Sequence, residues 1–346
     1  MTDHNIRFFA LDSLRGLASI GVAIFHLHGG WGGYLAVDFF LVLSGFILSH
    51  SYLYKDTATT TIDFVSHRLA RLYPLHLYTL SVFIFVYFLI DEKNTSYADG
   101  TFFTIIQQLT LTQNIGFNPS GISWNYPNWS ISVEFWVNVL FILFISKSTK
   151  NSSLFVAAII GLIVIYKNTG HLDTHSYNYY NIFNSGIIRG ISSFFIGILS
   201  YRIYLNYRDD IRIKKYINYI ELLCIIGVII VVFGRSGKFS GGDIFAPFVF
   251  MFVVATFAIE SGRLSKQIIK FKYLGIISYS IYLNQISVLM VVRNTLGKSD
   301  VLSVLSTYLL ILIIYSHFTY RYIEKPLRNK VRDMLSRITN PSTPAT

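Results

Sequence analysis

Ten mostly apolar stretches recur along the chain, near residues 11–27, 34–54, 73–90, 130–146, 153–167, 183–204, 217–233, 244–260, 273–293 and 301–320. Each is close to the roughly 20 residues that an α-helix needs to cross the hydrocarbon core of a bilayer. A further stretch, 102–113, is only about 12 residues long and suits an interfacial or re-entrant position better than a crossing. Within hydrocarbon every backbone polar group must be satisfied internally, and segments of this length do so as helices. The composition agrees: 53% hydrophobic, 16% aromatic and only 14% charged residues, with a mean hydropathy of +0.49, is far from a soluble domain. The sequence therefore predicts an all-α integral membrane protein, a bundle of about ten transmembrane helices.

The cations set the orientation. Lys and Arg collect in cytoplasmic loops, and with the N-terminus inside, inner segments hold about 21 of them and outer loops about 6. The inner clusters are Arg68 and Arg71; Arg208, Arg212, Lys214 and Lys215; Arg263, Lys266, Lys270 and Lys272; and Arg321 through Arg337. Counting 102–113 as a crossing would move every later cluster outside. Both termini are thus predicted to be cytoplasmic, with residues 1–330 as one membrane domain and 331–346 as a cytoplasmic tail, disordered at its end. The net charge of +11 is a topology signal and not a nucleic-acid signal.

Soluble-enzyme signatures are absent: the sequence has no P-loop, no GxSxG elbow and no metal-type Cys/His spacing. The single cysteine, Cys224, lies in an apolar run and reads as packing. The first apolar segment carries charges and no small-residue cleavage site, so it reads as a retained helix.

Polar residues inside the spans are where chemistry is to be sought. In "LDSLRGLASIGVAIFH", Arg15 and His26 lie within about 20° of one helix face and about 16 Å apart along the axis, and Asp12 is one turn from Arg15. The short glycine-rich link in "GGWGGYLAVDFF" returns Asp38 to the depth of His26, where a carboxylate favours the protonated imidazole and fixes its tautomer. Ser44 and Gly45 further along read as close helix packing. In "FVSHRLARLYP", Arg68 and Arg71 share a helical face and are suited to grip phosphate through fork-shaped hydrogen bonds. "NYPNWSISVEFWVNVL" places Glu134 inside a span, five residues after Trp129, either for function or for pairing with Arg189.

Taken in order, "LDSLRGLASIGVAIFH", "VDFFLVLSGF", "HRLARLYP", "WSISVEF", "ISYSIYL" and "YIEKP" resemble the acyltransferase-3 family of membrane proteins, from about Leu11 to Arg328. That family acylates, most often O-acetylates, surface glycans. The resemblance implies that Arg15 and His26 are its first-helix arginine and histidine, Arg68 and Arg71 its inner arginines, and Glu134 its glutamate after tryptophan. It further implies acyl-CoA, most often acetyl-CoA, as cytoplasmic donor with no permanently bound cofactor or metal, a glycan or glycolipid acceptor, and a bacterial inner membrane. Arg68 and Arg71 would hold CoA phosphates, and His26 would act as general base with Asp38 or Glu134 orienting it. An acyl-histidine intermediate is the alternative. Arg15, Asn128 and Tyr279 are candidate oxyanion donors, and Trp129, Tyr279 and Gln285 candidate substrate contacts. Where many relatives read SYSxYLxH, this chain has Gln285, which hydrogen-bonds but carries no proton at neutral pH. A secondary transporter also uses intramembrane Asp, Arg, His and Glu, but no matched halves or paired broken helices support one here.

Overall fold

The computed structural model describes residues 7–54, 60–90, 102–116, 123–174, 177–179, 183–234, 241–297 and 300–339. The elements in order are α1 (Phe9–His28), α2 (Ala36–Leu48), α3 (Thr61–Ile90), α4 (Phe102–Leu109), α5 (Trp129–Phe144), α6 (Asn151–Thr169), β1 (Asn178–Tyr179), β2 (Phe183–Asn184), α7 (Ser185–Tyr207), α8 (Ile211–Phe233), α9 (Ala246–Phe257), α10 (Arg263–Ile268), α11 (Lys272–Leu296), α12 (Val301–Thr319) and α13 (Lys325–Thr339). Among the described residues, nine helical segments are long and apolar enough to cross a membrane, and a shorter apolar one, Gly241–Phe257, occupies the place of the remaining predicted span. The protein is an all-α integral membrane protein. The short stretch at 102–113 contains only the 8-residue α4, about 12 Å long and too short to cross.

Long apolar side chains face outward because the solvent there is lipid. On α8, Tyr219, Leu223 and Ile230 are each more than 60% exposed, whereas most of α7 and α11 is buried.

The chain forms two compact units, with the division falling inside α11. The first comprises residues Met1–Thr57, Ser146–Tyr177 and Ser185–Ser278. In it α2 packs closely on α7, because a Cβ on Gly45 would collide with the Phe194 carbonyl and one on Gly197 with the Val42 carbonyl. The packing role read for Gly45 is borne out. Two carboxylates far away in sequence finish helix ends in this unit. Glu260, held at φ 53°, accepts a 2.7 Å bond from the Ala10 amide in the first turn of α1. Glu221 accepts from the Leu264 and Ser265 amides of α10 at 2.9 and 3.2 Å. Each supplies an acceptor for otherwise orphaned helix N–H groups. Cys224 is buried beside the Thr256 hydroxyl, as its packing reading requires.

The second unit comprises Ala58–Ile145, Asn178–Asn184 and Tyr279–Thr346. Here α3 runs for 30 residues straight through Pro74, starting well before the predicted span at 73. Proline removes a ladder hydrogen bond, and membrane helices tolerate this where neighbours re-satisfy the backbone. Two residues before the proline, the Leu72 carbonyl accepts from the Tyr279 hydroxyl at 2.8 Å. The short β1–β2 pair, Asn178 opposite Asn184, is an addition the sequence reading did not foresee. Residues 331–339, assigned to the tail, continue α13 in helical form, while 340–346 lie outside the described residues.

Candidate active site

In the first unit, α1 carries Arg15 and His26. Arg15 pairs with Asp12 at 3.4 Å, one turn earlier, as expected. Its Nε donates to Ser278 Oγ at 2.9 Å and its Nη2 to the Gly275 carbonyl at 2.7 Å. These bonds tie α1 to the "SYS" helix, and the approach is possible because residues 16 and 275 have no Cβ: one on Gly16 would meet the Leu274 backbone and one on Gly275 the Asp12 carbonyl. His26 is half-buried in the last turn of α1, its ring 5.6 Å from that of Phe25.

Asp38 has a different partner from the one suggested. Its carboxylate takes Arg189 Nη2 at 2.5 Å and Nε at 3.1 and 3.2 Å, and Ser193 Oγ at 2.8 Å. Both charged side chains are fully buried. Arg189 also donates to the Tyr34 carbonyl at 3.1 Å, and the Tyr34 hydroxyl donates to Asp243 at 2.8 Å. Asp38 is therefore half of a buried structural pair where the sequence suggested a partner for His26, and this is the pairing that Arg189 adopts in place of Glu134.

The second unit gathers the other candidates. Arg68 and Arg71 lie one turn apart on α3 ahead of Pro74, and the Arg68 guanidinium sits 5.5 Å over the Phe64 ring. Arg71, Glu134 and Glu324 all lie near enough to Tyr279 for their charges to act on it. Glu134, on α5, is half-buried, and among the described residues neither it nor Arg71 makes a hydrogen bond or ion pair. Glu324, of "YIEKP", is spoken for: it accepts from Ser280 of "ISYSIYL" at 2.7 Å and pairs with Arg328 at 3.7 Å. Ser280 and Glu324 are 44 residues apart, so the link between their motifs is not visible from either one alone.

Trp129 opens α5 and is 6% exposed. Beside it the Ser130 and Tyr282 hydroxyls are hydrogen-bonded to each other at 2.8 Å and each lies 3.2 Å from the Pro127 carbonyl, which accepts from the one whose proton is not used between them. Gln285 is buried, its Nε2 donating to the Tyr282 carbonyl at 2.8 Å, while its backbone carbonyl accepts from the Tyr308 hydroxyl at 3.2 Å. An amide-rich layer surrounds these residues. Gln113 donates to the Asn128 carbonyl at 3.0 Å, Asn114 to Asn184 at 2.7 Å and Asn125 to the Leu283 carbonyl at 3.0 Å. The side chains of Asn128 and Asn284 are fully buried, and none of their polar atoms is hydrogen-bonded. Buried amides are nearly always satisfied, so such a pair calls for an explanation. Only Asn128 had been singled out from sequence, as one of several oxyanion candidates.

No group of His, Cys, Asp and Glu among the described residues has the arrangement of a metal site.

Three comparisons bear on this arrangement. The profile of the acyltransferase-3 family, described as an acyltransferase domain, matches residues 8–319. The chain is 27% identical to an O-acetyltransferase OatA of Staphylococcus aureus, over 92% of this chain and 57% of that protein. It is 25% identical to a peptidoglycan O-acetyltransferase OatA of Listeria monocytogenes, over 92% of this chain and 55% of the relative. A protein 2 in the picA locus of Rhizobium radiobacter is 31% identical over 46% of this chain and 93% of its own length. The chain thus spans a little over half the length of the two O-acetyltransferases. No solved structure matches. With the six motifs in order and the profile covering nearly its whole length, the chain belongs to the acyltransferase-3 family of integral membrane proteins.

Proposed function

We propose that this protein is an O-acetyltransferase of a bacterial inner membrane, moving an acetyl group from cytoplasmic acetyl-CoA to a hydroxyl of an extracytoplasmic glycan. Family membership and the O-acetyltransferase relatives support the reaction class. The observation that carries the reading to this chain is the pair Glu134 and Arg71. These are two ionisable groups beside Tyr279 in a membrane protein, and neither has a hydrogen bond or ion pair among the described residues. Glu134 lies inside an apolar span, where a charge is costly and is retained for function unless it is paired.

In this mechanism Arg68 and Arg71 bind the CoA phosphates, for which the guanidinium fork is suited. His26 takes the proton of the acceptor hydroxyl as its oxygen attacks the thioester carbonyl. The carbon–sulfur bond breaks, and the proton passes to the departing thiolate as free CoA forms. Glu134 accepts a hydrogen bond from substrate, and Tyr279 contacts substrate. Asn128 and Asn284 each offer an unused donor and acceptor, the complement of a sugar hydroxyl, and Trp129, next to Asn128 in the chain, offers an apolar ring.

A thiol assay on proteoliposomes tests the reaction. Free CoA should accumulate from acetyl-CoA only when a glycan acceptor is present, with one acetyl ester formed per CoA released. Release that is indifferent to acceptor, or no release from folded protein, would overturn the reading, and the latter result would favour a transporter.

A further inference from the structure

We propose that α13 is an interfacial helix that binds the anionic phospholipid surface at the membrane face where α12 ends. The inference is independent of the acetyl-transfer reading.

The last membrane span passes into α13 through a π-helical turn, Tyr320–Glu324, with no loop between them. At 15 residues α13 is about 22 Å long, too short to cross. One side packs against α3, where Glu324 is anchored by Ser280 and Arg328. On another side, Leu327 and Met334 are seven residues apart, hence within about 20° of each other around the helix. They are 38% and 55% exposed, so an apolar stripe is left without protein cover. Exposed apolar rings also close the membrane segment before it, where Phe318 and Tyr322 stack 6.1 Å apart and are both at least half exposed.

Charge identifies what covers the stripe. Between residues 325 and 335 the cations are Lys325, Arg328, Lys330 and Arg332, against the single anion Asp333. Lys330 lies about 60° around the helix from Leu327, so its stem can lie along the apolar boundary while its ammonium reaches head groups. A short basic amphipathic helix with uncovered apolar residues, continuous with a membrane span, meets the requirements for lying in a negatively charged lipid interface.

The test uses the full chain in nanodiscs of phosphatidylcholine, with or without phosphatidylglycerol, read by hydrogen exchange of the amides of 325–335. Each basic residue near an anionic surface contributes about 1 kcal/mol, or roughly five-fold in binding. Exchange should therefore slow about five-fold or more with phosphatidylglycerol, and high salt should reverse the effect. Lys325→Gln/Lys330→Gln should lose most of the slowing. Equal exchange in the two lipids, or slowing that salt and the double variant leave intact, would overturn the proposal. If the variant proves unfolded, the salt dependence of the unaltered protein decides.

Discussion

Asp38 and Arg189 close a fully buried ion pair between α2 and α7, with guanidinium nitrogens 2.5 to 3.2 Å from the carboxylate oxygens and Ser193 donating to the same group. Removing one partner leaves the other charge buried without its counter-ion, which typically costs about 3–5 kcal/mol. Asp38→Asn and Arg189→Met should each lower the thermal unfolding midpoint sharply. The double variant Asp38→Leu/Arg189→Met should recover much of the loss, because it leaves no uncompensated charge. A double variant as unstable as the sum of the two singles would contradict the pairing account.

Glu134 makes the opposite prediction. It has no hydrogen bond or ion pair among the described residues, so Glu134→Gln should leave the unfolding midpoint unchanged or higher. Acetyl transfer should nevertheless fall by about 10²-fold or more, the scale of a lost acid–base or substrate contact. A parallel fall in stability and activity would instead make Glu134 structural.

Glycines separate close crossings from open ones. Gly197→Ala puts a Cβ into the Val42 backbone, which a flexible side chain cannot relieve, and should destabilise by about 1–3 kcal/mol. Gly21→Ala meets only the tip of Trp31 at 3.6 Å, an ordinary contact, and should be neutral or stabilising by up to about 1 kcal/mol through helix propensity. Unfolding midpoints in one detergent compare the two.

Asp210 caps α8 outside the membrane, accepting from the Arg212 and Ile213 amides. The Arg212 side-chain hydrogen bond, followed by the backbone bonds, holds its carboxyl below the usual carboxylate range. The folded protein therefore binds this proton less tightly than the unfolded chain. The cap's stabilising contribution is complete above the ordinary Asp value of about 4 and is lost as acidification titrates the folded group. Asp210→Asn keeps a cap oxygen and should remove this part of the acid dependence. An unchanged acid profile in hydrogen exchange of the first turn of α8 would refute the assignment.

The spans were legible because hydropathy and length are local properties, and the short stretch at 102–113 was set apart by the same arithmetic. The Asp12–Arg15 pair was legible because helical spacing alone places it. Asp38 was visible as an intramembrane carboxylate, but its partner lies 151 residues away and periodicity says nothing about that distance. The same holds for Glu260 at the start of α1 and Glu221 at the start of α10. The span at 73–90 was legible from its hydropathy, but α3 starts at Thr61, because the polar and charged residues before Pro74 lower the hydropathy without ending the helix. The unpaired amides Asn128 and Asn284 were hidden for a related reason: which polar groups go without partners is known only once all other bonds have formed.

The most direct test of the central claim uses membranes holding equal amounts of the unaltered protein, His26→Ala and Arg68→Ala/Arg71→Ala, incubated with radiolabelled acetyl-CoA and a peptidoglycan or glycolipid extract. The account predicts label in the glycan with the unaltered protein, none with the histidine variant, and a raised acetyl-CoA requirement with the arginine variant. Full transfer by His26→Ala, or no transfer by folded unaltered protein, would contradict it.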